Sequence, residues 1–135
     1  MNNKLQIHRR QAFVDITVLL VLVSITFAVI ELIHPYYFLM DDNQNYYLYV
    51  YTHSYKALIQ GEISLFNFHQ FLGVPFFAAG QTGTLNPVII ISLFLSRLFF
   101  GEYYAAMDIM AYLLLSITAI GMFLIIKKRI NKFHI

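Results

Sequence analysis

Two adjacent aspartates, Asp41 and Asp42, are the residues of this chain best suited to do chemistry. A carboxylate can take a proton from an attacking hydroxyl as a general base. It can also hold a hard divalent cation such as Mg²⁺ or Mn²⁺ beside a phosphate. The metal case is the weaker one, because neighbouring side chains on a helix diverge by about 100°. The bland alternative is structural: Asp41 as an N-cap places Gln44 at the third helical position, an acidic variant of the capping box. His53 and Lys56 lie about one helical turn apart and can face one phosphate together, although an ordinary interfacial pair with solvated heads is the favoured reading. Arg97 sits inside an apolar run, where a cation must snorkel, pair or meet an anion. Beside a lipid phosphate it would stabilise a leaving group. Asp108 stands at the end of another apolar run and is expected to be wet. His69 reads as a hydrogen-bonding loop residue, and the histidines show no zinc spacing. Gly80-Gln81-Thr82-Gly83 lacks the lysine and spacing of a phosphate loop and reads as a turn.

The composition says what must position these groups. Of 135 residues, 59% are hydrophobic and 12% charged, against roughly half and a quarter in soluble domains. This is more apolar side chain than one small core can bury, so a membrane protein is expected. With no cysteine, disulfide scaffolds, thiolate metal sites and cysteine nucleophiles are excluded. A net charge of +2 gives no case for nucleic acid. The distribution is more telling: seven of the nine basic residues are Lys4, Arg9 and Arg10 at one end and Lys127, Lys128, Arg129 and Lys132 at the other.

Ala12 to Ile33 is apolar except for Asp15 and Glu31, about 22 residues that reach about 33 Å as a helix, enough to cross a bilayer. Its basic flank resembles a secretory signal, but the run is long, holds Asp15 and lacks a small-x-small cleavage site, which predicts an uncleaved anchor. A second long run extends from Tyr104 to Ile126 and stops at Lys127-Lys128-Arg129. Val88 to Phe100 is equally apolar, but its roughly 13 residues are short for a span. Two crossings put both basic ends in the cytoplasm, as the positive-inside tendency prefers, whereas three would separate them.

The fold expected is all-α and integral to the membrane: a cytoplasmic tail over 1–11, spans over 12–33 and 103–126, an outward-facing segment over 34–102, and a basic cytoplasmic tail over 127–135. Pro35 ends the first helix. Within the outward segment, interfacial helices are expected near 42–60 and 87–100. Gly61 is a plausible stop for the first, and Pro87 suits the first turn of the second. Tyr47, Tyr51, Tyr55 and Leu58 fall on one stripe, and tyrosines favour a membrane interface where ring and hydroxyl meet different media.

The order of markers from Asp42 to Phe100 resembles the N-terminal region of YfhO-like membrane proteins of the GT-C glycosyltransferase superfamily. The markers are Gly61, Asn67, Phe71-Leu72-Gly73, Pro75, Gly80-Gln81 and Pro87. That resemblance implies sugar transfer from a polyprenyl-phosphate donor to an extracytoplasmic glycan or polymer acceptor. Asp42, or Asp41 beside it, matches the catalytic carboxylate of the family's first outward loop, and Arg97, Lys56 and His53 are weaker expectations for contacts to the donor phosphate. Members have many more spans, so the chain is expected to be incomplete and nearly inactive alone. Its expected partners are membrane lipid, the donor, and the remaining spans of a larger protein or a partner subunit. The competing expectation is a non-enzymatic accessory protein whose aromatic loop docks on a larger membrane protein. A transporter subunit has less support, since neither span carries a mid-bilayer charge or a glycine-proline break.

Overall fold

The computed structural model describes residues 2–67, 73, 75, 83 and 85–133, with side chains described between 10 and 130. It is all-α, and no sheet occurs among the described residues. The long helices are α1 (Asn2–Ile33) and α4 (Ala106–Phe133). Between them come a 3₁₀ turn (Tyr37–Leu39), a π-helical turn (Asn43–Tyr47) that runs into α2 (Leu48–Ile59), and α3 (Pro87–Phe100). The chain divides into two compact units, Met1–Pro35 with Tyr112–Ile135, and Tyr36–Ala111.

In the first unit, Arg10–Ile33 and the apolar part of Ala106–Ile130 are long and apolar enough to cross a membrane. Phe13, Val18, Leu22, Ile25 and Leu32 of α1 are all exposed, so this surface suits lipid better than water. The hydroxyls on α1 need no water either: Thr17, Ser24 and Thr26 each donate to the carbonyl four residues back, at 2.9, 2.8 and 3.0 Å, which satisfies them inside the helix. The two helices run antiparallel. The Ser24 and Tyr112 hydroxyls meet at 2.8 Å, the Phe27 ring meets Tyr112 edge-on, and Lys127 Nζ reaches Asp15 at 2.8 Å. The basic flanks of α1 and α4 therefore share one end of this unit.

α1 stops where Pro35 removes a donor; the last closing bond runs from the His34 amide to Ile30 O at 2.8 Å. In the second unit, α2 ends in a Schellman motif. Gly61, at φ +79°, donates to Leu58 O and Glu62 donates to Ala57 O. α3 opens with Asn86, whose side chain accepts from Val88 N, followed by Pro87 at the first helical position. It closes at Gly101, φ +74°, through a bond to Arg97 O.

The core of this unit joins α2, α3 and the first turn of α4, with Val50, Tyr55, Ile89, Leu93, Ala106 and Met107 buried. The inner face of α3 is Ile89, Ser92, Leu93 and Ser96, a stripe at helical spacing. Both serines are satisfied: Ser92 donates to Val88 O and Ser96 to Glu102 O, each at 2.7 Å. The other side of α3, with Ile91, Phe94, Leu98 and Phe99, is exposed.

Candidate functional site

The acidic pair lies on a tightly specified loop. Tyr36 and Asp41 both adopt the left-handed conformation, at φ 59° and 60°, and bracket the 3₁₀ turn. That conformation is costly for a bulky residue such as tyrosine, so neighbouring contacts must hold it. The Tyr36 ring packs edge-on against Tyr104 with centroids 5.0 Å apart, and its carbonyl accepts from the Leu39 amide. The backbone of Phe38 is held on both sides: its N–H donates to Asp108 Oδ1 at 2.9 Å, and its carbonyl, in the next peptide unit, accepts from Asn43 Nδ2 at 2.7 Å. Asp108 is 5% exposed. A carboxyl oxygen accepting a backbone amide away from water makes a bond with little competition from solvent.

This framework leaves the carboxylates of Asp41 and Asp42 exposed, at an open cavity of about 330 Å³ lined by Tyr37, Phe38, Met40, Asp41, Asp42 and Asn43. The expected capping box is not formed. Asp42 makes no side-chain capping bond, and the helix opens as a π turn. Asp41 contributes only its carbonyl, which accepts from Asn45 N at 3.1 Å. The reason is conformational: capping needs an extended backbone that swings the side-chain oxygen over the first amides, and Asp41 is left-handed. Mg²⁺ is commonly held by one or two carboxylates with waters and substrate phosphates. The pair suits such an ion only with a phosphate completing its shell, for no cluster of three or more potential ligands occurs among the described residues.

The three expected phosphate contacts are placed differently. Lys56 and Arg97 converge on one ring, Lys56 Nζ lying 5.7 Å and Arg97 Cζ 5.8 Å from the centroid of Tyr103. Arg97 is further fixed by donating to the Gly101 carbonyl and lying 4.0 Å from Glu102. His53 is half-buried, one turn before Lys56. Among the described residues, no ion pair joins any of the three to Asp41 or Asp42.

Tyrosines surround α2. Tyr47 packs against Tyr46 and Tyr51, and Tyr55 against Tyr103. Burial pushes the Tyr51 phenol up, with Tyr47 and Tyr46 adding to it; burial likewise raises Tyr55, with Tyr103 contributing. Both phenols therefore remain neutral hydrogen-bonding groups at physiological pH.

Asp108 is the clearest departure from expectation, since it is buried and structural rather than wet. Its one advance signal is an acidic residue inside an apolar helix. Nothing local marks Asn43 or Tyr103. His69, Phe71-Leu72 and Gly80-Gln81-Thr82 lie outside the described residues. No protein-family model, no curated protein and no solved structure matches the chain.

Proposed function

We propose that this chain is the front part of a GT-C-like membrane glycosyltransferase that moves a sugar from a polyprenyl phosphate to an extracytoplasmic glycan or polymer acceptor. What supports this is the resemblance from Asp42 to Phe100 together with one structural observation. The loop carrying the two aspartates is held through both backbone groups of Phe38 and leaves its carboxylates open to a cavity. A general base has to be presented on a supported backbone and still reach a substrate hydroxyl.

In this reading Asp42, with Asp41 beside it, takes the acceptor hydroxyl's proton as that oxygen bonds to the anomeric carbon. The bond from that carbon to the phosphate oxygen breaks, and its electron pair leaves with the polyprenyl phosphate. Arg97 and Lys56, with His53 nearby, serve a lipid-borne phosphate. The protein resides in the cell membrane as a multi-pass chain with both basic flanks in the cytoplasm, in keeping with their shared end and with the positive-inside tendency.

The test is photolabelling of the full chain in membranes with a photoactivatable polyprenyl-phosphate sugar, mapped by mass spectrometry. Label is expected within Tyr36–Asn43. In an assembly that turns over, Asp42→Asn is expected to lower transfer by about 10²-fold or more. Label confined to other segments refutes the reading.

An accessory role is favoured by a different observation. Ile59, Ile63, Leu65 and Leu85 are exposed on the second unit, as a surface that docks on a larger membrane protein would be. Replacing both aspartates with Asn leaves assembly with that partner intact if docking is the function, and abolishes transfer if catalysis is.

A further inference from the structure

We infer that Lys56, Tyr103 and Arg97 form a site for the phosphate of an anionic phospholipid headgroup, with the outer face of α3 in the acyl chains beside it. The inference deepens the reading above, in which Arg97 and Lys56 serve a lipid-borne phosphate, and rests on its membrane half rather than on sugar transfer. Two cations from different helices are brought to one ring, at 5.7 and 5.8 Å from its centroid. The ring attracts each cation and offsets part of their repulsion, which leaves both charges available to an anion. Glu102 lies 4.0 Å from Arg97 and is exposed; two cations against this one carboxylate leave the cluster net positive among the described residues. Arg97 is aimed rather than loose, because its guanidinium donates to the Gly101 carbonyl that caps α3.

What lies beside the cluster selects the ligand. Phe94, Arg97 and Leu98 stand at helical spacing on one stripe of α3, continued by Ile91. Phe94 is 52% exposed, Leu98 60% and Phe99 71%. The opposite stripe is filled by Ile89, Ser92, Leu93 and Ser96, so this apolar side has no partner inside the unit among the described residues. A soluble phosphate needs the cations but no such greasy border. A phospholipid needs both, the phosphate against Lys56 and Arg97 and the chains against Phe94 and Leu98. The chain brings its own membrane, since two other helices are long and apolar enough to cross one. α3 is not: its 14 residues reach about 21 Å against a hydrocarbon core of about 30 Å. It therefore lies along the boundary, where phosphates are.

The sequence contains no tryptophan, so Phe94→Trp supplies a single tryptophan, excited selectively over the tyrosines, on the outer face of α3. The full chain carrying it is reconstituted in nanodiscs of phosphatidylcholine and phosphatidylglycerol at equal mole fraction, with bromine on the acyl chains of one lipid or the other. Brominated phosphatidylglycerol is expected to quench more than brominated phosphatidylcholine, with a preference of roughly threefold from two cations at a wet site. Lys56→Gln should lose part of the preference and Lys56→Gln with Arg97→Gln all of it, both keeping basal quenching and helical content. Excess inorganic phosphate should change nothing. Equal quenching by the two lipids overturns the headgroup site, and loss of the preference in inorganic phosphate reassigns it to a soluble anion. No quenching by either lipid means that protein covers α3. None of these outcomes bears on photolabelling of the acidic loop, so the two readings fail separately.

Discussion

The carboxylate of Asp108 accepts the amide proton of Phe38 at 2.9 Å, across 70 positions of sequence. The carbonyl of the same residue accepts from Asn43 at 2.7 Å, so a residue in the first turn of α4 and one at the start of the π turn hold the two successive peptides on either side of Phe38. Support of this kind sets where Asp41 and Asp42 stand without involving their own side chains.

Removing that support should loosen the loop rather than unfold the chain. Asp108→Ala is expected to cost about 2 kcal/mol, the usual scale for leaving a buried amide without its acceptor. Asp108→Asn should cost less, since its amide oxygen still accepts. Hydrogen exchange at the Phe38 amide is the readout, and protection should fall in the order wild type, Asn, Ala. A double-mutant cycle with Asn43→Ala should be non-additive, because both bonds restrain the backbone of one residue. Additive losses would show that the two bonds act independently.

The two aspartates should separate by backbone. Asp41 is left-handed, where a β-branched side chain is costly, so Asp41→Val should destabilise the unit by about 1–2 kcal/mol. Asp42 is in the ordinary helical region, and Asp42→Val should leave stability within about 0.5 kcal/mol. Denaturation in detergent measures both. If the reading of the loop as catalytic is correct, transfer follows the opposite order, with Asp42 mattering more than its effect on folding.

The pairing of Asp15 with Lys127 makes a prediction about the helix pair. Since the chain has no cysteine, Asp15→Cys with Lys127→Cys can be joined by a short bismaleimide without background. Efficient intramolecular linking is expected, because the two side chains meet at 2.8 Å. Asp15→Cys with a cysteine in place of Tyr112 should not link, as Tyr112 meets Ser24 and Phe27 instead.

Alkaline pH should weaken the second unit. Tyr51 and Tyr55 are both held above the ordinary phenol value of 10.0, chiefly by burial. The folded chain then keeps protons that the unfolded chain releases. Their contribution is complete below about pH 10 and is lost as pH rises through the raised values. Chemical denaturation between neutral and strongly alkaline pH should show the decline, and Tyr51→Phe should flatten it. A slope unchanged in Tyr51→Phe would mean another group titrates.

Much of the architecture was readable from residue type. The two long apolar runs and the punctuation at Pro35, Gly61 and Pro87 act through backbone rules that need no knowledge of distant neighbours. The site was less so. Capping by Asp41 is the ordinary reading of Asp-Asp-Asn-Gln, and it failed because the turn before it enforces a left-handed φ that no local pattern announces. Asp108 looked wet because it stands at the polar end of an apolar run. Its burial follows from an amide it meets only after folding. Lys56 and Arg97 stand far apart in the sequence, and the ring of Tyr103 that unites them has no signature in either helix.

The serines on α3 carry one more consequence. Ser96 is bonded to the carbonyl of Glu102, just past the helix end, and Ser92 lies under the same packed stripe. Rolling α3 by a single residue step, about 100°, would tear that latch and push phenylalanine into space sized for a hydroxyl. The helix thus has one permitted roll angle, and whichever surroundings its aromatic flank meets are chosen by two small polar side chains on the side that never meets them.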